Sequence, residues 1–331
     1  MGGFNYRLGI AKPMGSRTSL SSTISSYYLT VLVAFLMTAV IATPIASSDL
    51  SASRSEDTSG RADYWVTGVA GPTADNLGKF SSIAVDDNGT MHISHIDTTG
   101  NSLQYSTNTT SGTWMSMNAG GSGVVEGHTS IGINSTGIVH IAFRAQNSTG
   151  SAIYDLYLAS QTTAGGSSWS TNMIATGRDL GHYVSMTIDD SDTIHISHRD
   201  ETNGRLRYAT NNNEGGQWSD SDVVPSTGGY TNGGFYSSIA TDSNKNPFIV
   251  HCNSDSGTGS LQWLKYIPST SAWSMYYPDG QGMGCKHASM DIFIADSSAG
   301  ESDEIHMSYA RDEDSDSESE LRYTTNKSGS W

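Results

Sequence analysis

The side chains with chemical reach in this chain are histidine, arginine, lysine and tyrosine, and they gather at two positions of a recurring phrase. At the first position stand Lys79 with Phe80, His128, His182 with Tyr183, Phe235 with Tyr236, and Lys286 with His287. At the second stand His95 and Asp97, Phe143 and Arg144, His198 with Arg199 and Asp200, His251 and Asn253, and Tyr309 with Arg311. Arginine can grip a carboxylate with two hydrogen bonds, aromatic rings stack on sugar rings, and histidine or tyrosine can move protons. The composition suits anionic or hydroxyl-rich ligands. A site breaks the symmetry of the frame that carries it, so the candidates for ligand contact are the residues that do not repeat: Lys79, His128, Arg144, His182, Arg199, Lys286 and His287. If the chain is catalytic, Arg199 would neutralise a carboxylate, with His198 or His251 and Tyr309 moving protons.

The elements that must position these residues show in the spacing of Trp65, Trp114, Trp169, Trp218, Trp273 and Trp331. Between them the same sentence recurs with a period near 50 residues, which marks a repeat architecture. Its first half reads SSIAVDDNGTMHISHID (81–97), TSIGINSTGIVHIAFRA (129–145), VSMTIDDSDTIHISHRD (184–200), SSIATDSNKNPFIVHCN (237–253) and, in a longer copy, 288–312. Its second half reads SLQYSTNTTSGTW (102–114) and recurs at 154–169, 205–218, 260–273 and 320–331. Each copy divides into four short strands, A to D, with turn residues such as Asp87-Asn88-Gly89 closing the A–B hairpin. The prediction is an all-β fold, a five-bladed β-propeller of four-stranded antiparallel blades. A β-solenoid is the rival, though its repeats are usually shorter. In a propeller strand A lines the channel, so the start of A and the end of B share one rim, and the two clusters above meet there. Tyr64-Trp65 matches the start of a strand D, and Trp331 stands where blade 5 needs its own. Residues 64–70 are therefore expected to close the ring as the outer strand of blade 5; a longer propeller, of which this is a fragment, is the alternative.

Residues 1–46 differ from the remainder. Arg7, Lys12 and Arg17 precede an apolar run from Tyr27 to Ile45, and no acidic residue occurs before Asp49. This is the pattern of a signal peptide, or of an N-terminal membrane anchor if uncleaved. Residues 47–62 read as a polar disordered linker, and 63–331 as the propeller. The expected location is extracellular or cell-surface, with membrane contact only through the N-terminal segment. A net charge of −16 excludes a general affinity for nucleic acid.

Tyr105-Ser106-Thr107-Asn108…Gly112-Thr113-Trp114 and its copies resemble the Asp-box, or BNR, repeat of the sialidase-like superfamily, whose pattern is Ser-x-Asp-x-Gly-x-Thr-Trp on the C–D hairpin. The match spans about 265 residues but is degenerate. Asn108, Asn211 and Asn326 replace the Asp, and blade 4, with Pro268-Ser269-Thr270, lacks it. The resemblance implies architecture, because the motif lies away from the catalytic face. Proteins that carry it include sialidases, other glycan-processing enzymes and lectin-like binders. A sialidase would need an Arg triad and a Tyr–Glu nucleophile pair; Arg144, Arg199 and Arg311 imitate the triad, but the Arg-Ile-Pro signature and a rim Glu–Tyr pair are missing.

Other residues read as frame. His92, His140, His195 and His306 share one repeat position and are expected to pack or hydrogen-bond. No ligand-spaced His or Cys pattern indicates a metal, and no cofactor is implied; the acidic stretch Asp312–Glu320 could hold Ca²⁺ but lacks the EF-hand arrangement. Cys252 and Cys285 map to one rim on adjacent blades, and an exported chain would join them as a disulfide. Three functions stay open: recognition of a glycan or anionic polysaccharide through the rim, a carbohydrate-active enzyme (polysaccharide lyase or sialidase-like glycosidase), and a non-catalytic cell-envelope scaffold.

Overall fold

The computed structural model describes residues 52–56, 62–66, 69–71, 76–108, 114–120, 123–147, 153–211, 217–223, 225, 233–254, 259–295, 302–311 and 319–327. The N-terminal segment and the acidic residues 312–318 lie outside them.

Strands β1 (Ala52–Glu56) and β2 (Ala62–Val66) pair with each other in a two-stranded sheet that belongs to a separate compact unit. Blade 1 is built from β3 (Lys79–Val85), β4 (Met91–Asp97), β5 (Ser102–Asn108) and β6 (Trp114–Asn118). Blade 2 is β7 (Ser130–Ile133), β8 (Val139–Gln146), β9 (Tyr154–Gln161) and β10 (Trp169–Ala175). Blade 3 is β11 (His182–Ile188), β12 (Ile194–Asp200), β13 (Arg205–Thr210) and β14 (Ser219–Asp222). Blade 4 is β15 (Phe235–Thr241), β16 (Pro247–Cys252), β17 (Leu261–Ile267) and β18 (Ala272–Tyr276). Blade 5 has three described strands, β19 (Lys286–Phe293), β20 (Glu304–Arg311) and β21 (Glu320–Thr325). Every pairing within a blade is antiparallel between consecutive strands, and the chain is a five-bladed β-propeller as its repeats predict.

The expected pairing of 64–70 with blade 5 is replaced. β2 takes β1 as its partner, and β21 is the last described strand of its sheet. The physical reason is loop closure: a pairing of strands as close in sequence as Glu56 and Ala62 costs less chain entropy than one between strands more than 250 residues apart.

Successive blades join through one repeated latch. The amide of a strand A residue donates to a serine hydroxyl one blade earlier: Ile131 to Ser82 (3.3 Å), Met186 to Ser130 (2.9 Å), Ile239 to Ser185 (3.2 Å) and Met290 to Ser238 (3.1 Å). Outside this latch the strand C side chains pack on the next blade's Trp, with ring centroids 5.1 Å apart for Tyr105–Trp169 and 5.3 Å for Tyr208–Trp273. The repeated histidines hold strand B to strand C as expected. His92, His195 and His306 meet the hydroxyls of Tyr105, Tyr208 and Tyr323 at 2.5, 2.6 and 2.7 Å, and His140 meets Ser160 at 2.8 Å.

The residues at the motif's Asp position have a plain structural task. Asn108, Asn211 and Asn326 accept the first amide of strand B from Met91, Ile194 and Ile305 at 2.6, 2.8 and 2.7 Å. In blade 4 that first residue is Pro247, which has no amide to donate, and the motif Asn is absent there too.

Candidate functional site

At the end of the channel where strand A begins, Phe80, His128, Tyr183, Tyr236 and His287 form an aromatic collar with one residue from each blade. Consecutive ring centroids are separated by 4.9 Å (Phe80–His128), 4.9 Å (His128–Tyr183), 4.9 Å (Tyr183–Tyr236) and 4.5 Å (Tyr236–His287). Four of the five hold left-handed backbone angles: Phe80 (φ 53°), Tyr183 (52°), Tyr236 (54°) and His287 (54°). In blades 1, 3, 4 and 5 the A–B register slips at this point, between Lys79 and Ser82, His182 and Ser185, Phe235 and Ser238, and Lys286 and Ser289. A bulge of this kind re-aims a side chain, and the left-handed angle costs a non-glycine residue about 1–2 kcal/mol. Four blades thus carry the same re-aimed aromatic side chain at the same energetic cost. His287 is exposed, and the other four are half-buried. Burial first, then the neighbouring His182, Arg144 and His287, lower the His128 pKa to about 4, so its ring is neutral near pH 7.

Beside the collar, between blades 2 and 3, lies a polar cluster. Arg144 donates to Asp179 at 2.6 Å and stacks over Tyr154, 3.9 Å from its ring centroid. His182 Nε2 faces the other oxygen of Asp179 at 3.4 Å. Burial and the Arg144 charge lower the His182 pKa, against Asp179 and Glu201, which raise it. Burial, with Glu126 next, raises the Tyr154 pKa. Arg199 donates to Glu201 at 2.6 Å and to the Gly233 carbonyl, with its guanidinium 3.9 Å from the Phe235 ring centroid.

The sequence candidates thus separate into two groups. His128, His182 and His287 stand at the channel mouth, Lys79 is exposed, and Lys286 is half-buried beside the collar. Arg144 and Arg199, each 6% exposed, are enclosed and paired. His198 and His251 are fully buried: His198 Nδ1 accepts the Gly181 amide at 3.3 Å and its Nε2 meets Asp220 at 3.0 Å, while His251 accepts the Gly234 amide at 3.1 Å. Both tie the start of strand A to the end of strand B within their own blade. Tyr309 is buried and donates to Asp279. The rim carboxylates Glu126, Asp179, Glu201 and Asp279 escape the sequence reading, because they lie on connections that occupy no repeat position. Among the described residues no group of three or more His, Cys, Asp or Glu side chains could hold a metal ion.

No family model matches the chain, and no curated protein sequence does. Solved structures do. The α-L-arabinanase of Penicillium chrysogenum, complexed with arabinobiose, superposes with a TM-score of 0.51 at 10% identity over 79% of this chain and 81% of its own. The Aleuria aurantia lectin AAL, in complex with Fucα1-6GlcNAc, gives 0.49 at 12% identity over 78% of each chain. A protein of unknown function from Dyadobacter fermentans gives 0.46 at 10% identity over 74% of this chain and 82% of its own. At 10% identity the likeness to the arabinanase shows the fold alone, a β-propeller.

Proposed function

We propose that the chain is an exported, glycan-recognising propeller of the Asp-box type that stacks sugar rings on its aromatic collar. The observation that carries this reading is the collar itself: four aromatic or imidazole rings held at strained backbone angles around one channel mouth. Rings presented in this way offer flat apolar faces to the C–H faces of a sugar, while rim carboxylates and lysines offer partners to its hydroxyls. Arg144 and Arg199 are already committed to Asp179 and Glu201, so they are not available to clamp a ligand carboxylate. Neutral, hydroxyl-rich glycans fit better than anionic polysaccharides. The disulfide between Cys252 and Cys285 supports an oxidising, extracellular setting.

A glycan array followed by titration of the best ligand tests the reading. Tyr183→Ala and Tyr236→Ala should each weaken binding by tenfold or more while the circular dichroism spectrum stays that of the folded chain. Unchanged affinity in both variants, or no binding to any glycan, overturns it.

One observation favours a second reading, a carbohydrate-active enzyme. His182 is part-exposed beside the collar and faces Asp179, the pairing that orients an imidazole for proton transfer. Release of reducing ends, or growth of unsaturated-uronate absorbance, that His182→Ala abolishes would establish it.

A further inference from the structure

Each blade has a face toward the blade before it and a face toward the blade after it, and four junctions pair these faces in the same way. The face toward the next blade centres on one leucine of strand C. Leu103, Leu156, Leu206 and Leu261 are 0, 0, 0 and 2% exposed, and the equivalent Leu321 of blade 5 is 85% exposed. Two residues on, Tyr105, Leu158 and Trp263 are 1, 4 and 7% exposed, and Tyr323 is 63% exposed. The face toward the preceding blade centres on one residue each of strands A and B. Ile131, Met186, Ile239 and Met290 are at most 6% exposed, as are Ile141, Ile196, Ile249 and Met307, whereas Ile83 and Ile93 of blade 1 are only half-buried. The serine latch stops at the same place: Ser289 occupies the position of Ser82, Ser130, Ser185 and Ser238, and among the described residues no amide of blade 1 donates to it. Blade 5 thus presents half of a blade junction, and blade 1 presents the complementary half.

We propose that these two faces meet between copies of the chain, the blade 5 face of one seated on the blade 1 face of another. Four core clusters join blade 1 to 2, 2 to 3, 3 to 4 and 4 to 5, the last with the Cys252–Cys285 disulfide, and among the described residues no core cluster joins blade 5 to blade 1. A second copy supplies each face with the surface it is shaped for, and the contact continues the interface already repeated four times. Tyr323, with its hydroxyl held by His306 at 2.7 Å, takes the role of Tyr105 and Tyr208, and Trp114 of the partner copy takes the role of Trp169 and Trp273. The contact is head-to-tail, so the assembly keeps one free face at each end and association continues beyond a dimer unless the rotation closes a ring. The charge of −16 on every copy opposes the contact, so raising salt from about 0.1 to 1 M, which shortens the screening length from about 10 to 3 Å, strengthens it.

Sedimentation velocity of the full chain at both salt concentrations tests this. The expected result is concentration-dependent oligomers, more abundant at high salt. Leu321→Asp with Tyr323→Ser, both at exposed positions, should weaken association at least tenfold, with a circular dichroism melt as the check that the chain still folds. Ile83→Lys should do the same from the other face, with its circular dichroism melt as the check that it folds. Mixed, the two variants should form a dimer and nothing larger, since each retains the half that the other lacks. A wild-type chain that stays monomeric at all concentrations overturns the proposal. Association unaltered by Leu321→Asp with Tyr323→Ser does so as well, because the contact then lies elsewhere.

Discussion

The Cα atoms of Cys252 and Cys285 lie 5.4 Å apart, and the disulfide between them ties blade 4 to blade 5 at the repeat position from which Arg199 reaches the Gly233 carbonyl of blade 4. Cys252 follows His251 as Arg199 follows His198 and Arg144 follows Phe143. From this position blades 2, 3 and 4 each send a tie across to the segment that opens the next: Arg144 to Asp179, Arg199 to Gly233, Cys252 to Cys285. The two arginines that break the sequence repeat are therefore inter-blade struts, which is why they are buried beside the channel mouth instead of open to it. The disulfide is the covalent member of the series.

Replacing both cysteines with serine should lower stability by about 3–4 kcal/mol, the chain-entropy value for a loop of this length, with a sequence separation of 33. The denaturant midpoint measures the loss. Quantitative thiol labelling of the unreduced, denatured protein should find no free thiol, and two labelled cysteines would remove the bridge from the account.

The backbone angles of the collar separate stability from recognition. Tyr236 sits at φ 54°, a region glycine enters without strain. Tyr236→Gly should regain part of the about 1–2 kcal/mol of left-handed cost while losing the ring's stacking contacts within the collar. The expected outcome is a thermal midpoint that falls less than in Tyr236→Ala, together with glycan affinity that falls as far. Equal midpoints for the two variants would show that the angle carries no strain.

The five blades are legible in the sequence because every physical device of the frame repeats. The serine of SSI, TSI and VSM is the inter-blade latch, the Asn before the C–D loop caps strand B in blades 1, 3 and 5, and the Trp covers the preceding blade. Even the exception is legible, since Pro247 and the missing Asn of blade 4 go together. The site was only half visible. Phe80, His128, Tyr183, Tyr236 and His287 could be placed at the mouth from strand order. Their left-handed angles could not, because a bulge imposed by the frame puts bulky residues where local propensity would put glycine. Asp179, Glu126, Glu201 and Asp279 were missed because a loop residue outside the repeat carries no positional signal. The burial of His198 and His251 was missed because the rim at strand level is already interior.

Arg144 acts on His182 through Asp179, and its removal should be readable at the imidazole. Burial and the Arg144 charge hold the His182 pKa down against the pull of Asp179. Arg144→Gln removes the cation and frees an Asp179 oxygen, so the His182 pKa should rise. Titration of the His182 ring protons by NMR measures this, and a pKa that stays put or falls would mean that burial alone sets it.

Stability should fall as the solution is acidified below neutrality, and the sign follows from two histidines. Burial lowers the pKa of His128 and of His251 from 6.5 to about 4 in the folded chain, so both are neutral where an unfolded chain would begin to protonate. Below pH about 6.5 the unfolded state binds protons that the folded state refuses, and unfolding gains with every such proton. The contribution of these groups is full above pH about 6.5, declines as pH falls toward about 4, and changes no further once the folded state protonates as well. His92, His95, His140, His182 and His195 are shifted in the same direction, chiefly by burial, and steepen the decline. Denaturant midpoints from pH 7 to 4 measure the slope. His128→Phe, which places at blade 2 the ring type blade 1 carries as Phe80, should keep the collar and flatten that slope, and His251→Gln should flatten it further even though it lowers stability at pH 7. A slope identical in wild type and both variants would mean that neither histidine is held neutral by the fold.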